Sequence, residues 1–117
     1  MNPDFLVSLV GEQPIPNLLV SRYLQPARQL LVYTRRTEAV AIRLRQLISQ
    51  HTDLSQDLRC QPYDFEALQT ALRSRLGNPA TTTINLTGGT KLMSLGAYAL
   101  AAETGCPVVY YENEGRR

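Results

Sequence analysis

The chain has no tryptophan, a single histidine and two cysteines. The histidine, His51, falls in a polar stretch at a predicted helix end and reads as a surface residue, which leaves no histidine-based nucleophile triad and no histidine cluster for a metal. Cys60 and Cys106 stand outside any CxxC or zinc spacing and read as buried or half-buried thiols in a reducing compartment. Charge of one sign is scarce as well. A formal net charge of +2 excludes a polycation that coats long nucleic acid, so no duplex partner is expected, while a local basic site for a small anion stays open. Long apolar runs are missing too. The run FLVSLV at residues 5–10 is too short for a signal peptide, and nothing approaches a membrane span. These absences predict a cytoplasmic chain whose domain makes no membrane contact. A length of 117 residues at 44% hydrophobic content suits one globular domain with a real core.

What is present is an alternation of short apolar runs with amphipathic ones. Strands are expected at residues 5–10, 30–34, 82–86 and 108–111, with a short one near 58–60 inside the otherwise polar stretch 53–62. Pro16 suits the first turn of a helix carrying Leu18, Leu19, Tyr23 and Leu24, which Pro26 stops. Thr37 can cap the next helix, with Glu38 in its first turn and Val40, Ala41, Leu44, Leu47 and Ile48 on one face. Asp64 caps a third, with Phe65, Leu68, Leu72 and Leu76 on one face and Gly77 at its C′ position. The last helix, 90–104, is expected to turn Leu92, Leu95, Ala99 and Leu100 inward and to end at Gly105. The alternation predicts an α/β fold, Rossmann-like and doubly wound, with a mainly parallel sheet of about five strands and flanking helices. Ligands in such sheets bind at the carboxyl ends of the strands, where strand order reverses.

The strand-end loops narrow the chemistry. The first, Gly11-Glu12-Gln13-Pro14, lacks the GxGxxG of a dinucleotide site, and the second strand ends in Thr34-Arg35-Arg36 rather than in an acid for ribose hydroxyls. Leu86-Thr87-Gly88-Gly89-Thr90-Lys91 cannot supply a Walker A loop. It does deliver two glycines to a helix start, where unpaired backbone N–H groups and the macrodipole favour an anion. Thr87 and Thr90 add hydroxyls and Lys91 a point charge, so this stretch reads as a phosphate cradle. Glu112 and Glu114 read as solvated acids, and no metal or other cofactor is expected.

The segments LVSLVGEQPIPNLL at 6–19, LLVYTRRTE at 30–38 and INLTGGTKLMSLGAYALA at 84–101 together resemble the CARF domain, the CRISPR-associated Rossmann fold. The string Asn-x-Thr-Gly-Gly-Thr-Lys-x-Met at residues 85–93 is the specific part, and the likeness is nearest to the branch fused to restriction-like nucleases in type III CRISPR systems. The resemblance implies a homodimer that binds a cyclic oligoadenylate second messenger, cyclic tetra-adenylate first among them, across its two-fold axis. It implies one ligand-binding domain over residues 1–117, the N-terminal part of a longer effector, in antiviral signalling. Carried over by position, Thr87, Gly88, Gly89, Thr90 and Lys91 would face phosphate, Gly11, Glu12, Gln13, Pro14, Thr34 and Arg35 would line adenine and ribose, and Asn85 and Met93 belong to the same motif. The alternative is a metal-independent ring nuclease that cleaves the messenger by ribose 2′-hydroxyl attack, with Lys91, Thr90 and Arg35 as its catalytic residues. Ala97, Ala101 and the turn around Tyr98 present small residues on a second face of the last helix. That face, with the first helix, is expected to pair across the dimer axis.

Overall fold

The computed structural model describes residues 2–49, 52–54 and 57–111. Five parallel strands form one sheet in the order β3-β2-β1-β4-β5, where β1 is Phe5–Leu9, β2 Arg28–Tyr33, β3 Asp57–Arg59, β4 Thr82–Asn85 and β5 Val108–Val109. The helices are α1 Pro14–Leu24, α2 Glu38–Ile48, α3 Phe65–Arg73 and α4 Lys91–Thr104. All five residues of β1 are buried. It lies at the centre, pairing Val7 with Leu30 of β2 on one side and with Ile84 of β4 on the other. A parallel strand covered on both faces needs an unbroken apolar run, and FLVSL supplies it.

The side chains of β1 alternate between two cores. Phe5, Val7 and Leu9 join Leu68 and Leu72 of α3 and Met93, Ala97 and Leu100 of α4 in the larger one. Val10 and Leu31 join Ala41, Leu44 and Ile48 of α2 on the opposite face, with Leu18 of α1 against them. Two helices on each face thus seal the sheet. Among the described residues no helix is long and apolar enough to cross a membrane.

Two helix faces differ from the sequence expectation. In α1 the buried residues are Asn17, Val20 and Ser21, whereas Leu19 and Tyr23 are 41% and 85% exposed. The Asn17 side-chain amide donates to the Leu9 carbonyl at 2.9 Å, which pins the Asn17 face inward and leaves Leu19 and Tyr23 outward, while Leu18 stays against the core. In α4 the buried set is Met93, Gly96, Ala97, Leu100 and Ala101, in place of Leu92, Leu95 and Ala99. Gly96 lies on the face that packs against α3. A Cβ there would already be in contact with Phe65 and Leu68 at 3.5–3.6 Å, and the Gln69 amide donates to the Gly96 carbonyl at 3.0 Å. The small residues let α4 approach α3 closely, so Ala97 and Ala101 are spent inside the protomer and cannot form a dimer face.

Smaller differences concern ends. Helix α1 begins at Pro14, with Gln13 as its N-cap, which places Pro16 in the first turn as expected. Helix α3 is capped by Asp64, whose carboxylate accepts from the Ala67 N–H, yet it stops at Arg73, so Gly77 caps nothing. Gly105 does take the left-handed conformation, φ +86°, after α4. Thr37 is not a side-chain cap for α2; it closes the 3₁₀ turn Arg35–Thr37 by accepting from the Thr34 N–H at 3.0 Å. Cys106 is buried and Cys60 half-buried, both free thiols. Burial pushes the Cys60 thiol above its ordinary range.

Candidate functional site

Strand order reverses between β1 and β4, because the chain leaves β1 toward β2 on one side and reaches β4 on the other. The loops that leave the carboxyl ends of these two neighbours therefore meet. They do so through glycine. A Cβ on Gly88 would lie 2.3 Å from both the Gly11 nitrogen and the Leu9 carbonyl oxygen, and a Cβ on Gly11 would lie 3.2 Å from the Gly88 Cα. No real side chain tolerates the first of these distances. Gly89 then takes φ +83°, with Met93 beneath it, and turns the chain into α4.

Thr90 is the N-cap of α4. Its hydroxyl accepts from the Met93 N–H at 3.2 Å and donates its one proton to the Pro62 carbonyl at 2.9 Å. The first-turn amides of Lys91 and Leu92 are left as the orphan donors that every helix start carries. Thr87 is likewise committed: its hydroxyl donates to Asn85 and accepts from the Tyr111 N–H at 2.9 Å. Each threonine hydroxyl thus both donates and accepts in this arrangement. Asn85 itself is fully buried. Its side chain holds the Thr87 N–H at 3.0 Å and reaches Ser8 at 3.4 Å.

The turn after β2 joins the first loop through an exposed ion pair, Arg36 to Glu12 at 2.6 Å. Arg36 is thereby balanced. Among the described residues Arg35 and Lys91 are exposed and pair with no carboxylate. Gln13 caps α1 and Pro14 begins it, directly after Glu12. A cavity of about 400 Å³ opens on the β5 side of the ledge, lined by Gly88, Gly89, Lys91, Leu95 and Tyr110.

The structure thus gathers Gly11, Glu12, Thr87, Gly88, Gly89, Thr90 and Lys91 at one ledge, with Gln13, Pro14 and Arg35 on its β1–β2 flank. It places three expected ligand-facing residues elsewhere. Met93 is 1% exposed and Thr34 4% exposed, and Asn85 lies in the sheet, so these support the ledge from within. Met93 faces inward because it fills the core under the Gly89 turn; Thr34 because its side chain is taken up with Thr37. Sequence reasoning missed Tyr110 and Leu95. Both lie at the strand-end edge that the sheet rule indicates, Tyr110 directly after β5 and Leu95 in α4. Glu112, Glu114 and His51 lie outside the described residues. Among those described, no group of three or more histidine, cysteine or acidic side chains could hold a metal ion.

Comparison with known proteins bears on the family and the fold. The family model described as the Card1 CARF domain matches residues 5–117. No curated protein matches. Among solved structures, Can2 from Sulfobacillus thermosulfidooxidans, in complex with cyclic tetra-adenylate, superposes with a TM-score of 0.85 at 26% identity, covering 97% of this chain and 33% of that one. Enterococcus italicus Csm6, bound to cyclic hexa-2′-fluoro-hexa-dAMP, gives 0.74 at 17% identity over 96% of this chain and 34% of that one. A type III CRISPR defence DNA nuclease activated by cyclic oligoadenylate gives 0.74 at 21% identity over 96% and 19%. The last two likenesses speak to the fold. The chain spans about a third or less of each of these proteins.

Proposed function

The chain belongs to the CARF domain family, and from that premise we propose that it is a cyclic oligoadenylate sensor of type III CRISPR signalling, with cyclic tetra-adenylate as its ligand. The observation that carries the reading is the contact of Gly88 with Gly11. By removing side chains from both loops, it bares the amides at the start of α4 beside Lys91. An anion there meets orphan N–H donors, the positive end of the macrodipole and an unpaired ammonium together. Phosphodiesters of a cyclic oligoadenylate supply that anion, and the Can2 complex shows a related fold holding such a ring.

In this reading Gly88, Gly89 and Lys91 hold phosphate, with Thr87 and Thr90 fixing the turn behind them, while Gly11, Glu12, Gln13, Pro14 and Arg35 line the sugar and base. Thr34, Asn85 and Met93 fix the ledge. A four-fold ring matches an isologous pair of protomers, so the sensor acts as a homodimer with the ring on its axis. It is the N-terminal sensing part of a cytoplasmic effector in the branch fused to restriction-like nucleases, which the ligand switches on.

Thermal melting with cyclic tri-, tetra- and hexa-adenylate tests the proposal. Ligand bound only to the folded state stabilises it by RT ln(1 + [L]/Kd), roughly 2.7 kcal/mol at a hundredfold excess over Kd, a rise of several degrees for a domain of this size. Lys91→Ala removes a charged hydrogen bond and should cost about 1.5–3 kcal/mol of that affinity. A melting temperature indifferent to all three rings would overturn the reading.

A further inference from the structure

Tyr110 is 65% exposed, yet its backbone is held from both sides by the loop that forms the cradle. The Leu86 N–H donates to the Val109 carbonyl at 2.9 Å, and the Tyr111 N–H donates to the Thr87 hydroxyl at 2.9 Å. The residue on so fixed a segment lines the same 400 Å³ cavity as Gly88, Gly89 and Lys91. Leu95, 61% exposed and one turn after Lys91 on α4, adds an apolar side chain to that lining.

We infer that Tyr110 is the platform on which an adenine of the bound ring stacks, on the β5 side of the phosphate, an inference that rests on the cyclic oligoadenylate reading above. A nucleotide is an anion joined through a ribose to a flat π-face, and the lining of this cavity holds a partner for each: the Lys91 ammonium at the helix start and the Tyr110 ring. The first loop and the turn after β2 offer Gly11, Glu12, Gln13, Pro14, Thr34 and Arg35, none of them aromatic. Among the described residues lining the cavity, Tyr110 is the one ring. Stacking on such a ring is tolerant of base identity but strong. It binds the base without asking the threonine hydroxyls to give up Pro62 or Asn85.

The test titrates cyclic tetra-adenylate into the unaltered full chain and into Tyr110→Ala, Tyr110→Phe and Lys91→Ala, with circular dichroism to verify folding and sedimentation to follow association. Tyr110→Ala removes a stacked base from each protomer of the pair, so binding should weaken by at least about 5- to 150-fold, the loss from a single stack. Tyr110→Phe keeps the π-face and should stay within about twofold. The chain has six tyrosines and no tryptophan, so ligand quenching of tyrosine emission reports the stack directly; Tyr110→Phe should lose part of the quench while keeping affinity. Full affinity in Tyr110→Ala, alongside weakened binding in Lys91→Ala, overturns the inference and leaves the sensor reading standing. So does a Tyr110→Ala chain that changes only its self-association, since the ring then belongs to a protein interface. Absence of binding by the unaltered chain removes both readings.

Discussion

Gly88 is the residue on which the site depends, and the reason differs from the one its sequence suggests. In the sequence, Gly88-Gly89 reads as two residues without Cβ that let a phosphate approach. In the fold, Gly88 clears the way for the backbone of β1, whose Gly11 nitrogen and Leu9 carbonyl stand where a Cβ would be. Backbone atoms cannot rotate aside, so Gly88→Ala must part the two loops. The expected cost is about 1–3 kcal/mol in urea denaturation, with loss of cyclic tetra-adenylate binding. Gly105→Ala is the matched control: its φ is positive but nothing lies within 4 Å, so it should cost about 1–2 kcal/mol of conformational strain and leave binding intact. Equal binding by Gly88→Ala would show that the loops need not touch. The glycine pair was legible from the sequence because turn chemistry is local. Its partner was not, since Gly11 lies far away in the chain and only the strand order brings it near.

The elements themselves were largely legible. The order of strands and helices follows from apolar runs and caps, such as the Asp64 cap of α3, that a short window contains. Which face each helix turns inward was not, because Asn17 bonding to Leu9 and Gly96 packing on Phe65 are tertiary contacts. The consequence reaches the proposed dimer. Ala97 is fully buried, so Ala97→Arg should unfold the protomer rather than separate a pair. The exposed apolar stripe is instead Ile15, Leu19 and Tyr23 on α1, at 55%, 41% and 85% exposure. It borders an apolar groove of about 540 Å³ that runs to Tyr110 and Tyr111. Residues four apart share one helix face, and this face lies beside the ledge, where a ring on the axis needs the partner. The double substitution Leu19→Glu with Tyr23→Glu should therefore give a monomer of unchanged circular dichroism in sedimentation velocity. A folded double variant that still dimerises would place the interface elsewhere.

At the scale of the whole molecule, the sheet order β3-β2-β1-β4-β5 converts scattered sequence signals into one basic ledge. It brings the loops after β1 and β4 into contact, ties the turn after β2 to them through Arg36 and Glu12, and sets the end of β5 against the cradle through Thr87. The net charge of +2 is modest, so binding has to come from where the donors sit rather than from overall attraction. Phosphate contacts make such binding fall as salt rises. Calorimetric titration of cyclic tetra-adenylate into the unaltered chain, at two salt concentrations, tests this most directly. Saturable binding of one ring per two chains, weaker at the higher salt, is the predicted result; a verified dimer that takes up no ring at micromolar concentration would contradict it.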